Sequence, residues 1–199
     1  MALHEQSVGK SDEWYTPRHV FEAMGTTFDL DVASPQTDCP ADDFCETMLC
    51  ARALETPWWG FVWMNPPFGA RNGLVPWLDK FFEHGNGVAL VPDRTSAPWW
   101  QDYAPKAEAV LFVRKKLRFI RPDGSEGASP AQGTTLMAIG WQGRSALERA
   151  AAAGLGLMLF NRPEGVATTP DDTREASKPK ARATEPKDLL DSQTTGGGA

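Results

Sequence analysis

Between Arg18 and Phe160, short apolar runs alternate with stretches whose apolar residues recur every three or four positions. This is the pattern of strands joined by crossover helices. A short helix is expected over Arg18 to Met24, with Thr16 as its cap, Pro17 at the first helical position and Gly25 after its end. Phe28 to Ala33 reads as a buried strand closed by Ser34-Pro35, and Phe61 to Met64 as another that runs straight into Asn65-Pro66-Pro67. Leu74, Trp77, Leu78, Phe81 and Phe82 give Leu74 to His84 a helical stripe. The strand Gly87 to Val91, a helix over Ala97 to Tyr103, strands at Ala109 to Val113 and Thr134 to Trp141, an alanine-rich helix Ser145 to Ala153 and the apolar run Leu155 to Phe160 complete the pattern. The fold class expected is α/β, a mostly parallel sheet with helices on both faces. Only 27 residues, 34 to 60, separate the strands at Phe28 and Phe61. Two further strand-and-helix crossovers of roughly ten or more residues each do not fit there, so the sheet is expected to be reduced on one side.

After Arg162 the chain turns to Thr, Pro, Lys, Glu and Gly, with Leu189-Leu190 its only large apolar pair. Such a segment cannot bury enough surface to offset its ordering entropy. One folded domain over residues 1–162 and a disordered tail over 163–199 are therefore expected; the 199 residues and 41% apolar content suit one globular domain. No apolar run reaches the ~20 residues that span a bilayer, and Met1 to Lys10 lacks the apolar core of a secretory signal, so a cytoplasmic protein with no membrane partner is the default. Cys39, Cys45 and Cys50 are an odd number at spacings of six and five, which reads as free thiols rather than a metal site.

The net charge of −6 argues against a protein that binds nucleic acid by charge alone, but the charge is unevenly spread. Up to Gly60 there are eleven acids against three bases, whereas Phe61 to Arg162 holds eight acids and twelve bases. Five of these bases crowd into Arg114, Lys115, Lys116, Arg118 and Arg121, a cluster suited to backbone phosphates and equally to a charge-protected strand edge. Arg94, directly after a strand, is a candidate phosphate ligand and nearly equally a candidate for a structural salt bridge. Trp58-Trp59 and Trp99-Trp100 read first as core and only second as stacking platforms, and Asp29 reads as a solvated charge.

Asn65-Pro66-Pro67-Phe68 carries the most specific chemistry. The lone pair of an aromatic amine is delocalised into its ring, so alkylating the nitrogen needs acceptors that pull on both amino hydrogens. The Asn65 side-chain oxygen and the Pro66 carbonyl supply two. Consecutive prolines fix φ and remove competing N–H groups, which holds these acceptors in place before a substrate arrives. Phe68 offers a flat face for a base flipped out of a duplex. By itself the tetrapeptide is also an ordinary turn ending a strand.

The flanking residues add to this. Val62-Trp63-Met64-Asn65-Pro66-Pro67-Phe68-Gly69 resembles motif IV of amino-group methyltransferases, and the chain as a whole resembles the phage-type DNA N-6-adenine methyltransferase (Dam-like) family. Glu13-Trp14-Tyr15-Thr16-Pro17 is similar to that family's motif X, Phe28-Asp29-Leu30-Asp31-Val32-Ala33-Ser34 to its variant motif I, and Leu90-Val91-Pro92-Asp93-Arg94-Thr95 with Trp99-Trp100 to its next segment. Lys116-Leu117-Arg118-Phe119 looks like its basic Leu-Arg-Phe signature, and the motifs run in collinear order from about Asp12 to Trp141.

The resemblance implies that residues 1–162 form a reduced Rossmann-like S-adenosylmethionine-dependent methyltransferase domain of a phage or prophage, acting on the 6-amino group of adenine in DNA in a bacterial cytoplasm. It implies catalytic roles for Asn65, Pro66, Pro67 and Phe68, cofactor contacts from Trp14, Tyr15, Thr16, Pro17, Asp31, Ala33 and Ser34, DNA contacts from Arg94, Arg114, Lys115, Lys116 and Arg118, and no metal. Three departures stand out. Phe68 replaces the usual Tyr, motif I lacks a glycine-rich turn, and Ala51-Arg52-Ala53-Leu54 replaces an acidic, glycine-containing stretch, which leaves Asp43, with Asp42 and Glu46, as substitutes for the ribose contact. The alternatives are the same chemistry on RNA or protein glutamine, and a non-catalytic DNA-binding module of methyltransferase form.

Overall fold

The computed structural model describes residues 14–34, 44–48, 52–67 and 73–160. The chain divides into two units, Met1–Glu164 and Gly165–Ala199, and every described residue belongs to the first. The tail expected over 163–199 lies outside the described residues, as do Cys39, Cys50, Asp42, Asp43 and Phe68.

In chain order the elements are α1 (Arg18–Met24), β1 (Phe28–Asp31), β2 (Cys45–Met48), β3 (Val62–Met64), α2 (Val75–His84), β4 (Gly87–Pro92), α3 (Pro98–Tyr103), a 3-10 turn (Ala104–Lys106), β5 (Ala109–Val113), β6 (Thr134–Ile139), α4 (Gly140–Ala152) and β7 (Gly156–Phe160). The strands form one seven-stranded sheet in the order β2-β1-β3-β4-β6-β5-β7. Alternate side chains of its central strands feed two apolar layers. Trp63, Val88, Leu90, Leu111, Leu136 and Ala138 pack against Val20, Phe21 and Met24 of α1 and Ala146, Leu147 and Ala150 of α4. On the other face, Val62, Met64, Ala89, Val91 and Met137 meet Leu78 and Phe81 of α2 and Trp100 and Tyr103 of α3. Every strand residue of β3 and β4 is buried, as two covered faces require.

The expected mostly parallel sheet is not what forms. β1 pairs parallel with β2 and β3, and β3 with β4, but β4–β6, β5–β6 and β5–β7 are antiparallel. Two of these pairs arise from β6, which enters the gap between β4 and β5 and opposes both, and the third from β7, which returns along β5 after α4. A strand reached by the long connection 114–133 needs no crossover helix, because antiparallel neighbours do not require one. Among the described residues one strand, β2, which no apolar run announces, lies beyond β1.

Boundary differences have local causes. The strand expected over Thr134 to Trp141 stops at Ile139, because Gly140 takes a left-handed φ of 78° and the chain turns directly into α4. Thr16 is not the cap of α1: Pro17 occupies that position, and no side chain caps the helix. Asp29 is not a solvated charge. Its Oδ2 accepts the Phe61 backbone N–H at 2.6 Å and ties β1 to the start of β3. Trp58 is core, donating through Nε1 to the Ala53 carbonyl at 2.9 Å, and Trp100 is buried. Lys80 of α2 donates to the carbonyls of Ala53, Leu54 and Thr56 and secures the turn that carries Trp58; burial pulls its pKa down, against an opposing effect of Glu83.

Candidate active site

After β1 the chain moves outward to β2 and returns on the other side of β1 as β3. The carboxyl ends of β1 and β3 therefore flank the point where the strand order reverses, the place where open α/β sheets bind ligands. Asp31 ends β1, and Asn65 follows the last residue of β3.

At the end of β1, Val32 continues the ladder by donating to the Trp63 carbonyl at 3.0 Å. Asp31 is 4% exposed, and its Oδ1 accepts the Ala33 N–H at 3.0 Å, closing a tight turn that presents Val32, Ala33 and the buried Ser34 beside β3. Without the usual glycines, this carboxylate shapes the turn.

At the end of β3, Asn65 Nδ2 donates to the Trp14 carbonyl at 3.1 Å, across 51 positions of sequence. A carbonyl oxygen only accepts, so the amide nitrogen must face Trp14 and Oδ1 must face away from it. Among the described residues no donor meets Oδ1. Pro66 is buried and Pro67 exposed behind it, with trans peptide bonds throughout the described residues. β3 is itself immobilised by packing, since Trp63 sits edge-on to Phe21 of α1 at 4.8 Å and 5.6 Å from Phe28.

Trp14 and Tyr15 are held by a second partner. Tyr15 and Ile120 exchange backbone hydrogen bonds of 2.9 Å in both directions. Ile120 belongs to a small hairpin in which it also bridges Glu126. The turn between them is closed by Gly124 at φ 79° and by Asp123, whose carboxylate accepts from Ser125 N and Oγ and is thereby held below its usual pKa. The Trp14 ring lies against Gly127, where a Cβ would stand 2.6 Å from Cζ3, and the Arg121 guanidinium lies 5.8 Å from the ring centroid. This hairpin is not among the site residues expected from the sequence, although Arg121-Pro122-Asp123-Gly124 carries the Pro-Asp-Gly signal of a turn.

Two residues beyond Trp14, Thr16 is 3% exposed and its Oγ1 has no hydrogen-bond partner among the described residues. A buried hydroxyl without a partner costs roughly 1–3 kcal/mol, so the chain carries a polar atom that it does not itself use. Thr16, Asp31 and Ser34 thus supply buried polar groups around the switch point, a donor set that fits a ligand bearing an ammonium and hydroxyl groups.

β5 is antiparallel to β6, which is antiparallel to β4, so β5 points the same way as β1 to β4. Arg94 and the Arg114–Lys116 run consequently emerge at the same edge as Asn65. Arg94 Nε donates to Gln132 Oε1 at 2.8 Å and Lys116 Nζ to the Ala131 carbonyl at 2.6 Å, so both are anchored on one loop leading into β6. Arg118 is paired with Glu126 at 3.0 Å. Arg114 and Lys115 are exposed, with no side-chain partner among the described residues. The structure thus brings Trp14 to Pro17, Asp31 to Ser34 and Asn65 to Pro67 into one neighbourhood and sets the bases along the adjoining edge. Among the described residues there is no cluster of three or more metal-ligating side chains, and no helix is long and apolar enough to cross a membrane.

Comparison with known proteins identifies relatives of this chain. The model of the DNA N-6-adenine-methyltransferase (Dam) family matches residues 5–149. The DNA N-6-adenine-methyltransferase of Escherichia phage T1 is 29% identical over 115 residues, 53% of this chain and 46% of that protein. The chain thus spans about half the length of this curated relative. No solved structure matches it. Because the family model matches residues 5–149, well over half of the chain, the chain belongs to the DNA N-6-adenine-methyltransferase (Dam) family.

Proposed function

We propose that the chain is a DNA methyltransferase that places a methyl group on the exocyclic 6-amino group of adenine, with S-adenosylmethionine as donor. The observation that carries this reading is the Asn65 amide: Trp14 fixes its nitrogen, so Oδ1 is left as a preset acceptor at the switch point, one residue before the Pro66 carbonyl. An amine whose two protons are held by these two oxygens is biased toward the tetrahedral nitrogen that alkylation requires. Phe68, which follows Pro67, is the stacking face for the flipped base. No general base is needed, since the proton leaves to water after transfer.

S-adenosylmethionine, when bound, supplies a methyl carbon activated by its sulfonium. The residues that would hold it are Thr16, with its unsatisfied hydroxyl, Asp31, the Ala33–Ser34 turn and the Trp14–Pro17 segment; Asp43 is the candidate for the ribose contact. Arg114 and Lys115 hold DNA phosphates, with Arg94, Lys116 and Arg118 shaping the edge beside them. The strand order, with its reversal between β1 and β3, supports the reduced Rossmann-like reading. DNA and cofactor meet in the cytoplasm of a bacterial host, where the protein would act. Sequencing that detects modified bases in host DNA after expression tests the proposal. N6-methyladenine that appears with the wild-type chain and not with Asn65→Ala supports it, and unmodified adenine in both refutes it.

A further inference from the structure

We infer that β7 is a self-association edge, along which two copies of this chain pair antiparallel about a twofold axis at Met158. β7 is the last strand of the sheet among the described residues, and it follows the segment matched by the family model. Natural sheets blunt such edges with lysines, prolines or bulges; Gly156-Leu157-Met158-Leu159-Phe160 has none of these. Leu157, Leu159 and Phe160 are 65%, 51% and 53% exposed. Arg144 of α4 lies 4.8 Å from the Phe160 ring centroid and covers part of that ring only.

The backbone parity sets the register that a second copy would take. Arg114 N donates to Leu155 O at 2.9 Å, and β5 pairs Phe112 with Leu157 and Val110 with Leu159. Hydrogen-bonded and non-bonded pairs alternate in an antiparallel ladder, so Leu157 and Leu159 turn their N–H and C=O groups toward β5, as the Leu155 carbonyl does, while the Leu155 N–H donates to Ala150 O at 3.0 Å. Gly156, Met158 and Phe160 point theirs outward. An antiparallel copy centred on Met158 sets these three residues opposite the same three: Met158 faces its own counterpart, and Gly156 of each copy faces Phe160 of the other. All of them fall in the hydrogen-bonding class, giving about six bonds across the edge. Each Leu157 then meets Leu159 of the other copy, and each Phe160 ring covers a Gly156, the cross-strand arrangement that rescues an edge glycine. Residues 161–199 hold Val166, Leu189 and Leu190 as their only large apolar residues, so no run there matches the composition of β7, whereas a second copy brings that same apolar run. Strand direction reverses across this axis, so the two Asn65 edges open on opposite sides and each site serves its own stretch of DNA.

Sedimentation equilibrium of the full chain tests the edge. The wild type is expected to show a reversible monomer–dimer equilibrium. The double variant Leu157→Lys, Leu159→Lys sets lysines opposite lysines and is expected to be monomeric. The double variant Leu157→Glu, Leu159→Lys sets each glutamate opposite a lysine of the other copy and is expected to dimerise again, more weakly at high salt. Amide exchange on the wild type needs no variant. Met158 and Phe160 should gain protection as concentration rises, while Leu157 and Leu159 are protected throughout. A wild type monomeric up to its solubility limit, a dimer that survives the Lys/Lys change, or exchange at Met158 independent of concentration would overturn the inference.

Discussion

Replacing Asn65 by Asp tests the role of the Trp14 carbonyl more sharply than deletion does. In the wild type the 3.1 Å hydrogen bond from Asn65 Nδ2 turns Oδ1 away from Trp14, toward the proposed position of the amine. An ionised carboxylate in place of that amide has no donor, so it would set an oxygen against the Trp14 carbonyl at that distance or rotate away. Leaving that carbonyl without its donor costs roughly 1–3 kcal/mol, which corresponds to about a 5- to 150-fold loss if it is felt in the methyl-transfer step. Protonation reverses the defect, because a neutral carboxyl donates to Trp14 and presents a carbonyl oxygen as Asn does. Single-turnover transfer of labelled methyl to DNA, compared with wild type from about pH 8 to about pH 5, should therefore show the Asn65→Asp deficit shrinking as pH falls through the raised pKa of the new group. Asn65→Ala, lacking any acceptor, should lose about 10²- to 10³-fold at every pH. An Asn65→Asp enzyme as fast as wild type near neutrality, or one whose deficit ignores pH, would refute the assignment of Trp14 as the group that orients Asn65.

Other consequences are more local. Thr16→Val replaces an unsatisfied hydroxyl by a methyl of equal size, so the melting temperature of the free protein should hold or rise while calorimetry shows weaker S-adenosylmethionine binding; unchanged affinity would remove Thr16 from the cofactor site. Gly127→Ala places a Cβ 2.6 Å from the Trp14 ring and 2.8 Å from the Phe119 carbonyl, so it should cost about 1–3 kcal/mol of stability in urea unfolding and slow transfer through displaced Trp14; wild-type stability and rate would count against the hairpin's role. Lys115→Ala should weaken DNA binding about equally for all sequences and lower the slope of log affinity against log salt by roughly one, as read in fluorescence titrations; an unchanged slope would take Lys115 off the phosphates. Burial, aided by the hydrogen bond to Asp79, raises the Tyr103 pKa from 10.0 to about 12. The folded chain therefore keeps this proton longer than the unfolded chain, so the contribution is whole below pH 10.0 and is lost as pH rises toward about 12. Tyr103→Phe should flatten that part of the urea-midpoint profile.

Much of this was legible in the sequence because it is local. The stripes Leu74-Leu78-Phe81 and Ala146-Leu147-Ala150 fix the buried faces of α2 and α4, and the run Val62-Trp63-Met64 ending in Asn65-Pro66-Pro67 locates the site. What was not legible depends on partners distant in the chain. β2 is a four-residue strand interrupted by Glu46, without an apolar run to mark it. The position of β6 between β4 and β5 is a choice of tertiary partner that its own composition does not encode. Thr16 reads as a cap by residue type, yet Pro17 takes that position and leaves the hydroxyl buried. The basic cluster reads as one patch, but Lys116 and Arg118 are tied to Ala131 and Glu126, while Arg121 leans on Trp14, the residue whose carbonyl accepts from Asn65.

The most direct measurement of the central claim is digestion of DNA to nucleosides after incubation with purified protein and methyl-labelled S-adenosylmethionine. The label is expected in N6-methyladenine with the wild-type chain and about a hundredfold less or lower with Asn65→Ala, roughly the loss that removing one preset polar contact brings. Label in another nucleoside, or equal label from both proteins, would contradict the account.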